Sequence, residues 1–518
     1  MDTVLISTRI ASLMKTIVHP ENVTGNDLIT LGIESDPLIR ERRIPMNIKA
    51  RVLGAGLALA LTASMAGCGG TTNEAPSSDP GDTVTNAEST SPDANELPST
   101  PVYFLNFKPE VAEIYKEIVK EYKAETGVDV KVDTAASGTY EQTLSSEIAK
   151  SAPPTIFQIN GPVGYGNWKD YIADVRDSDL YKHLSDPSLA ISSADGAVWG
   201  IPYVVEGYGI IYNNDIMKKY FAMSNKAVSI SSVEEINSFA LLKQVAEDMT
   251  AKKDALGIKG VFSSTSLKPG DEWRWGTHLA NVPFYYEFKT DGVDLSQGTP
   301  KEVKFSYGAN YQNIFDLYLN NSVTAKTQLG AKTVDESMAE FALGQSAMVQ
   351  NGNWGWGQVS GVQGNIVKAE DIGFLPIYIG APGEEKQGIC IGTENYFAIN
   401  SKVSKETQKA SLDFLNWLFT SEKGKAFVIN DLGFFAPFDS FSADERPTDP
   451  LAQDLMKWMT KDGVETVSWS AFQVFPSQDW KSAFGKDLLS YAQGKMDWAS
   501  VSSDVVSEWK TQVEMADQ

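Results

Sequence analysis

At 518 residues, with 42% hydrophobic and 21% charged side chains, the chain has the composition of a folded globular protein and exceeds what one core supports, so at least two lobes are expected. Its net charge of −23 argues against nucleic acid, which needs clustered Lys and Arg, and against an anionic ligand, while leaving neutral ligands open. Two cysteines, Cys68 and Cys390, supply no disulfide framework, and His183 and His278 have no metal-ligand spacing, so no metal and no cofactor is expected.

Residues 1–45 mix acids and bases without a long apolar run and read as an upstream extension outside any structured domain, with Met46 as the expected start. From Met46 follow a basic start, a small apolar run over 52–66 and Gly67-Cys68-Gly69, the three parts of a secretory signal over 46–67. Met65-Ala66-Gly67-Cys68 resembles the lipobox of bacterial lipoproteins, with Met65 where Leu is usual, so Cys68 is the expected lipidation site. Two acyl chains there would hold the protein to a membrane. Residues 68–100 lack large apolar side chains and read as a flexible tether. Removing residues 1–67, seven bases and six acids, takes the net charge to −24.

The folded region opens with a strand over 102–106, an amphipathic helix over 110–126 and a strand over 128–132, a βαβ unit that implies parallel pairing. A helix over 140–150 and a strand over 155–159 repeat the pattern. Ligands of such sheets lie beyond the strand carboxyl ends, which points to loops 107–108, 135–140 and 158–165. Gly161, Gly164 and Gly166 lack the G-x-G-x-x-G order, and no Walker-type loop is visible.

The stretch 199–213, Trp-Gly-Ile-Pro-Tyr-Val-Val-Glu-Gly-Tyr-Gly-Ile-Ile-Tyr-Asn, reads as an extended chain that bends at Pro202 and continues as a buried strand linking two lobes. Glu206, Asn213, Tyr203 and Tyr208 are its candidates for gripping a polar ligand. A helix starts at Asp215, and Ser232-Val233-Glu234-Glu235 reads as a capping box before a helix ending near Lys253. A strand over 260–263 precedes Trp273 and Trp275, which point in different directions on one helix, so one faces a ligand and the other packs. His278 reads as a structural residue near a helix start.

A helix over 335–343 and a strand over 345–350 lead to the Gly-rich loop 351–357, whose Trp354 offers a flat face to sugar C–H groups. Residues 388–400 read as a second crossing strand, 404–419 as a helix and 432–437 as a third crossing. Helices over 479–491 and 501–513 close the chain.

This order of signals resembles the family 1 extracellular solute-binding proteins of ABC importers, the maltose-binding-protein-like group. It is carried by the run 122–128, Gly138-Thr139-Tyr140, Ala152-Pro153-Pro154-Thr155, Asp195-Gly196 with 199–203, and 209–213; then by 341–348 with Trp354, Gly373 with Leu375-Pro376, and the helix 410–418. The resemblance implies a two-lobed α/β periplasmic-binding-protein-like fold with several interlobe crossings: lobe one over 101–206 plus 392–436, lobe two over 207–391 plus 437–518. It implies a monomer, lipid-anchored on the outer face of the cytoplasmic membrane, that captures a neutral carbohydrate, foremost an oligosaccharide, and delivers it to the transmembrane subunits of an ABC permease. Tyr140, Asn160, Glu206, Trp273, Trp354 and Glu394 are the cleft residues carried over, the aromatics for stacking and the others for hydroxyl groups. The rival readings are a surface-anchored glycoside hydrolase, for which no acid and base pair is marked, and a peptide or polyol binder on the same scaffold.

Overall fold

The computed structural model describes residues 102–516 apart from Ser137, Ser296, Gln297 and Glu394, so the segments expected over 1–100, Cys68 included, lie outside the described residues. The first strand, β1 (Val102–Asn106), is buried throughout, as a largely apolar run covered on both faces should be. The helix Ala112–Thr126 turns Tyr115, Ile118 and Tyr122 inward and stops at Gly127, whose φ of +75° suits a left-handed cap. β2 (Val130–Thr134) pairs parallel to β1. It begins two residues later than expected because 127–129 form the cap and the connection.

β3 (Ile156–Asn160) lies parallel on the other side of β1. β4 (Ile191–Ser192) and β5 (Val198–Pro202) belong to the same sheet, and β6 (Glu206–Asn213) leaves it for a second. The second sheet gathers β7 (Phe262–Ser263), β8 (Met348–Gly352), β9 (Ile372–Leu375) and β10 (Gln387–Gly392). β11 (Asn395–Ile399) returns to the first sheet between β3 and β5, and β12 (Glu465–Ser468) closes on β10. The orders are β2-β1-β3-β11-β5-β4 and β12-β10-β6-β8-β7, with β9 also beside β6.

β6 is the axis of the second sheet. Its first half pairs with β10 and its second with β9, while β8 runs along its other edge. Gly209 marks the change of partner: a Cβ there would lie 2.6 Å from the Leu375 carbonyl oxygen. Helices cover both faces of each sheet, giving two lobes. Phe104, Phe397 and Phe414 pack on one face of the first sheet and Leu144, Phe157 and Tyr396 on the other. Tyr208, Trp275 and Trp480 belong to the core on one face of the second sheet, Ile211, Phe341 and Leu455 to that on the other.

Among the described residues the chain passes between the lobes at 203–205, after Gly392 at the end of β10, and after Phe435, whose carbonyl accepts from Val205 N at 2.8 Å. Some local expectations change. Ser232 caps nothing; 233–235 is one 3₁₀ turn, Ile236 is extended, and the helix Phe239–Ala251 is capped by Ser238. The capping box that does form is Thr333 with Glu336. Asn213 caps the helix Asn214–Phe221, its Oδ1 accepting from the amides of Asp215 and Ile216, so it grips the backbone and no ligand. Tyr203 is fully buried, stacked on Phe397 at 4.3 Å, with its hydroxyl accepting from Gln158 Nε2.

Candidate functional site

The loop after β1 reaches toward the second lobe. Asn106 shapes it, accepting from Lys108 N at 3.1 Å and donating to Lys108 O at 2.7 Å. The buried Lys108 ammonium thereby meets both carboxylate oxygens of Glu206, the first residue of β6, at 2.9 and 3.0 Å. Burial holds the Glu206 carboxyl above the usual carboxylate range, with Lys108 opposing the shift. Lys108 Nζ also stands 5.7 Å from the Trp354 ring centroid, so one side chain of lobe one touches the crossing and the far wall.

That wall is aromatic. Trp273 precedes a π-helical turn, Arg274–Leu279, whose wider winding brings Trp273 and His278, five residues apart, into edge contact at 4.8 Å. His278 lies flat on Tyr208 at 4.2 Å and 8°. Burial, then nearby Arg274 and Lys108, holds this imidazole well below its ordinary pKa, so it is neutral. Trp354 stands 6.2 Å from Trp273 and 6.4 Å from Trp469. Two strand-end glycines seat the indoles: a Cβ on Gly352 would come within 2.2 Å of the Trp354 ring, and one on Gly392 within 2.7 Å of Trp469.

Polar atoms without protein partners gather beside this wall. Asn160 Oδ1, Gln350 Oε1, Thr393 Oγ1, Asn395 Nδ2, His278 Nε2 and Trp469 Nε1 are buried and have no hydrogen-bond partner among the described residues. Asn160 and Asn395 are register partners at the ends of β3 and β11 nearest the crossing, and Thr393 is in it. Each unpaired group costs about 1–3 kcal/mol, which a hydroxyl-rich ligand would relieve. The lobes meet around this region: a Cβ on Gly138 would fall 2.5 Å from Gly270, and one on Gly161 3.3 Å from Gln473.

Of the residues expected in the cleft, Glu206, Trp273 and Trp354 are brought together, and Asn160 lies opposite Asn395 at the end of β3, next to Gly161, whose would-be Cβ lies 3.3 Å from Gln473. Tyr140 stands apart, buried in a first-lobe core, its hydroxyl accepting from Gln158 N at 2.7 Å and donating to Leu105 O. Glu394 is outside the described residues. Trp275 is fully buried in the second-lobe core. Tyr208, expected to grip a ligand, stands in the stack beneath His278, and Lys108 lies in the expected loop 107–108; Arg274, Thr393, Asn395 and Trp469 complete the site without having been picked out as site residues. Trp469 had one usable signal, an indole just past a short β-branched strand and Gly463. Cys390 is a buried free thiol, pushed up to about 12 by burial.

Among the described residues no helix is long and apolar enough to cross a membrane, and no cluster could hold a metal ion. The fold is similar to that of a chitin oligosaccharide binding protein (TM-score 0.61, 16% identity, covering 81% of this chain and 99% of that one). It is similar to RafE in complex with raffinose (TM-score 0.61, 16% identity, 80% and 99%). It is also similar to the GacH receptor of Streptomyces glaucescens, solved unliganded and with acarbose (TM-score 0.56, 18% identity, 80% and 98%). Residues 117–457, more than half of the sequence, match the bacterial extracellular solute-binding proteins, and the chain belongs to that family, whose members bind solutes and are not enzymes.

Proposed function

We propose that this protein captures an oligosaccharide between its lobes and delivers it to the transmembrane subunits of an ABC permease, acting as a monomer held by lipid on Cys68 to the outer face of the cytoplasmic membrane. The observation that carries the reading is the wall of Trp273, His278, Trp354 and Trp469 set beside buried polar atoms that lack protein partners. Flat indoles suit the C–H faces of pyranose rings, and unpaired amide and imidazole atoms suit their hydroxyls. A chitin oligosaccharide binding protein and the raffinose and acarbose complexes among proteins of this fold point the same way. A mature net charge of −24 favours a ligand whose body is neutral sugar.

We place lobe one at 102–206 with 392–441 and lobe two at 207–391 with 442–516. Residues 437–441 go with lobe one because Phe438 bridges Leu184 and Asp439 pairs with His183 at 2.8 Å. The test is a thermal-shift screen against mono- and oligosaccharides with recovery of each sugar. At a hundred times its dissociation constant a ligand adds about 2.7 kcal/mol, a clear rise in melting temperature. A shift with the sugar recovered intact supports the reading; no shift with any sugar overturns it.

A further inference from the structure

Arg274 is a buried cation in the aromatic wall, and among the described residues no carboxylate lies within 4.0 Å of it. The residue is 3% exposed, and its guanidinium lies over the Trp273 ring at 3.8 Å from the centroid. Nε donates to Asn351 Oδ1 at 3.1 Å; the two Nη nitrogens donate to none of the described residues, and none of their carboxylates lies within 4.0 Å. The buried lysines differ, Lys108 holding Glu206 and Lys332 paired with Glu340, while the other buried arginine, Arg446, lies over Phe435 away from the aromatic wall and donates through Nη1 to the Glu445 carbonyl. The charge of Arg274 is answered at a distance, by Glu110, Asp271 and Asp335, the last linked to it through Asn351 to Gln358 at 3.3 Å and from Gln358 to Asp335 at 3.0 Å.

A buried charge left unpaired is costly, and evolution ordinarily resolves it with a partner or an apolar residue. Burial pushes this guanidinium down to about 9, which still leaves it protonated at neutral pH. With one face against Trp273 and Nε held by Asn351, the end carrying both Nη groups is what remains to be engaged. Two parallel N–H donors on a fixed plane match the two oxygens of a carboxylate.

We propose that the bound sugar carries one carboxylate, as a uronic acid unit does, and that Arg274 receives it through its Nη groups. This rests on the carbohydrate reading and deepens it. The overall charge of −24 does not oppose it, because a single anion taken into a buried cationic contact responds to the nearby guanidinium more than to surface charges beyond a screening length of about 8 Å.

The test uses the full chain and matched probes: xylotriose against xylotriose bearing one glucuronic acid, a glucose trimer against one ending in glucuronate, and a galactose trimer against one ending in galacturonate, each titrated by calorimetry. In at least one pair the acidic member should bind tighter by on the order of tenfold, as a charge-assisted hydrogen-bond pair implies. Arg274→Gln should remove that preference, so that acidic and neutral members of the pair bind the variant with equal affinity, and Arg274→Lys should keep part of it. Equal or weaker binding of every acidic member to the wild-type chain overturns the proposal and leaves the carbohydrate reading standing. A preference that survives Arg274→Gln, or acetate alone competing as well as the sugar acid, also overturns it. Failure of every sugar to bind overturns both.

Discussion

Lys108 and Glu206 form a buried ion pair whose partners come from different parts of the chain, so each is tolerable inside only because of the other. Truncating Lys108 to Met would leave the Glu206 carboxylate buried, with the like charge of Glu110 acting on it. We expect Lys108→Met to lower unfolding free energy by about 3–5 kcal/mol in urea, and pairing it with Glu206→Leu to restore most of that. His278 supplies a pH dependence. Its folded pKa is depressed, so below its unfolded value of 6.5 the unfolded chain binds a proton that the folded chain refuses. Stability is therefore full above pH 6.5 and falls as pH drops below it, by about 1.4 kcal/mol between pH 7.5 and 5.5. His278→Phe, which keeps a ring on Tyr208, should flatten this part of the melting profile.

At the scale of elements, the aromatic wall depends on strand ends that carry no side chain. Gly352 closes β8 with ordinary negative φ, so Gly352→Ala strains no backbone but drives a methyl into the Trp354 ring. The indole must swing away. Sugar affinity measured by calorimetry should fall on the order of tenfold, the stacking contribution of one ring, with little change in melting temperature of the free protein. The sequence shows why some of this was legible and some not. Buried strands such as β1 and β6 announce themselves by apolar runs, and the bend at Pro202 with glycines around Tyr208 marked a lobe crossing. Glu206 and Trp354 stand out because their residue types are unusual in those surroundings. The π-turn does not: α-helical periodicity separates Trp273 from His278, and only the wider winding joins them. Asn213 misled because cap and ligand chemistry use the same short polar side chains, and Ser232 misled because a Ser and a Glu three apart precede a single 3₁₀ turn as readily as a long helix, which Ser238 caps instead.

At the scale of the whole molecule, we propose that the crossings let one lobe move against the other and that the contact between Gly138 and Gly270 limits how far. The Gly138 loop belongs to lobe one and Gly270 precedes the Trp273 segment of lobe two, and we expect their near-touching backbones to set the closed position. A methyl on Gly138 would overlap Gly270 at 2.5 Å and hold the lobes apart. It would also strain a backbone at φ +69°, which by itself costs about 1–2 kcal/mol. Gly127 separates the two effects, since its φ is +75° but nothing lies within 4 Å of its would-be Cβ. Both Gly138→Ala and Gly127→Ala should lower the melting temperature comparably. Only Gly138→Ala should raise the sugar dissociation rate and leave the sugar-loaded protein with a larger radius of gyration in solution scattering. Equal scattering of both loaded variants would place the limit of closure elsewhere, because backbone strain common to both cannot tell open from closed.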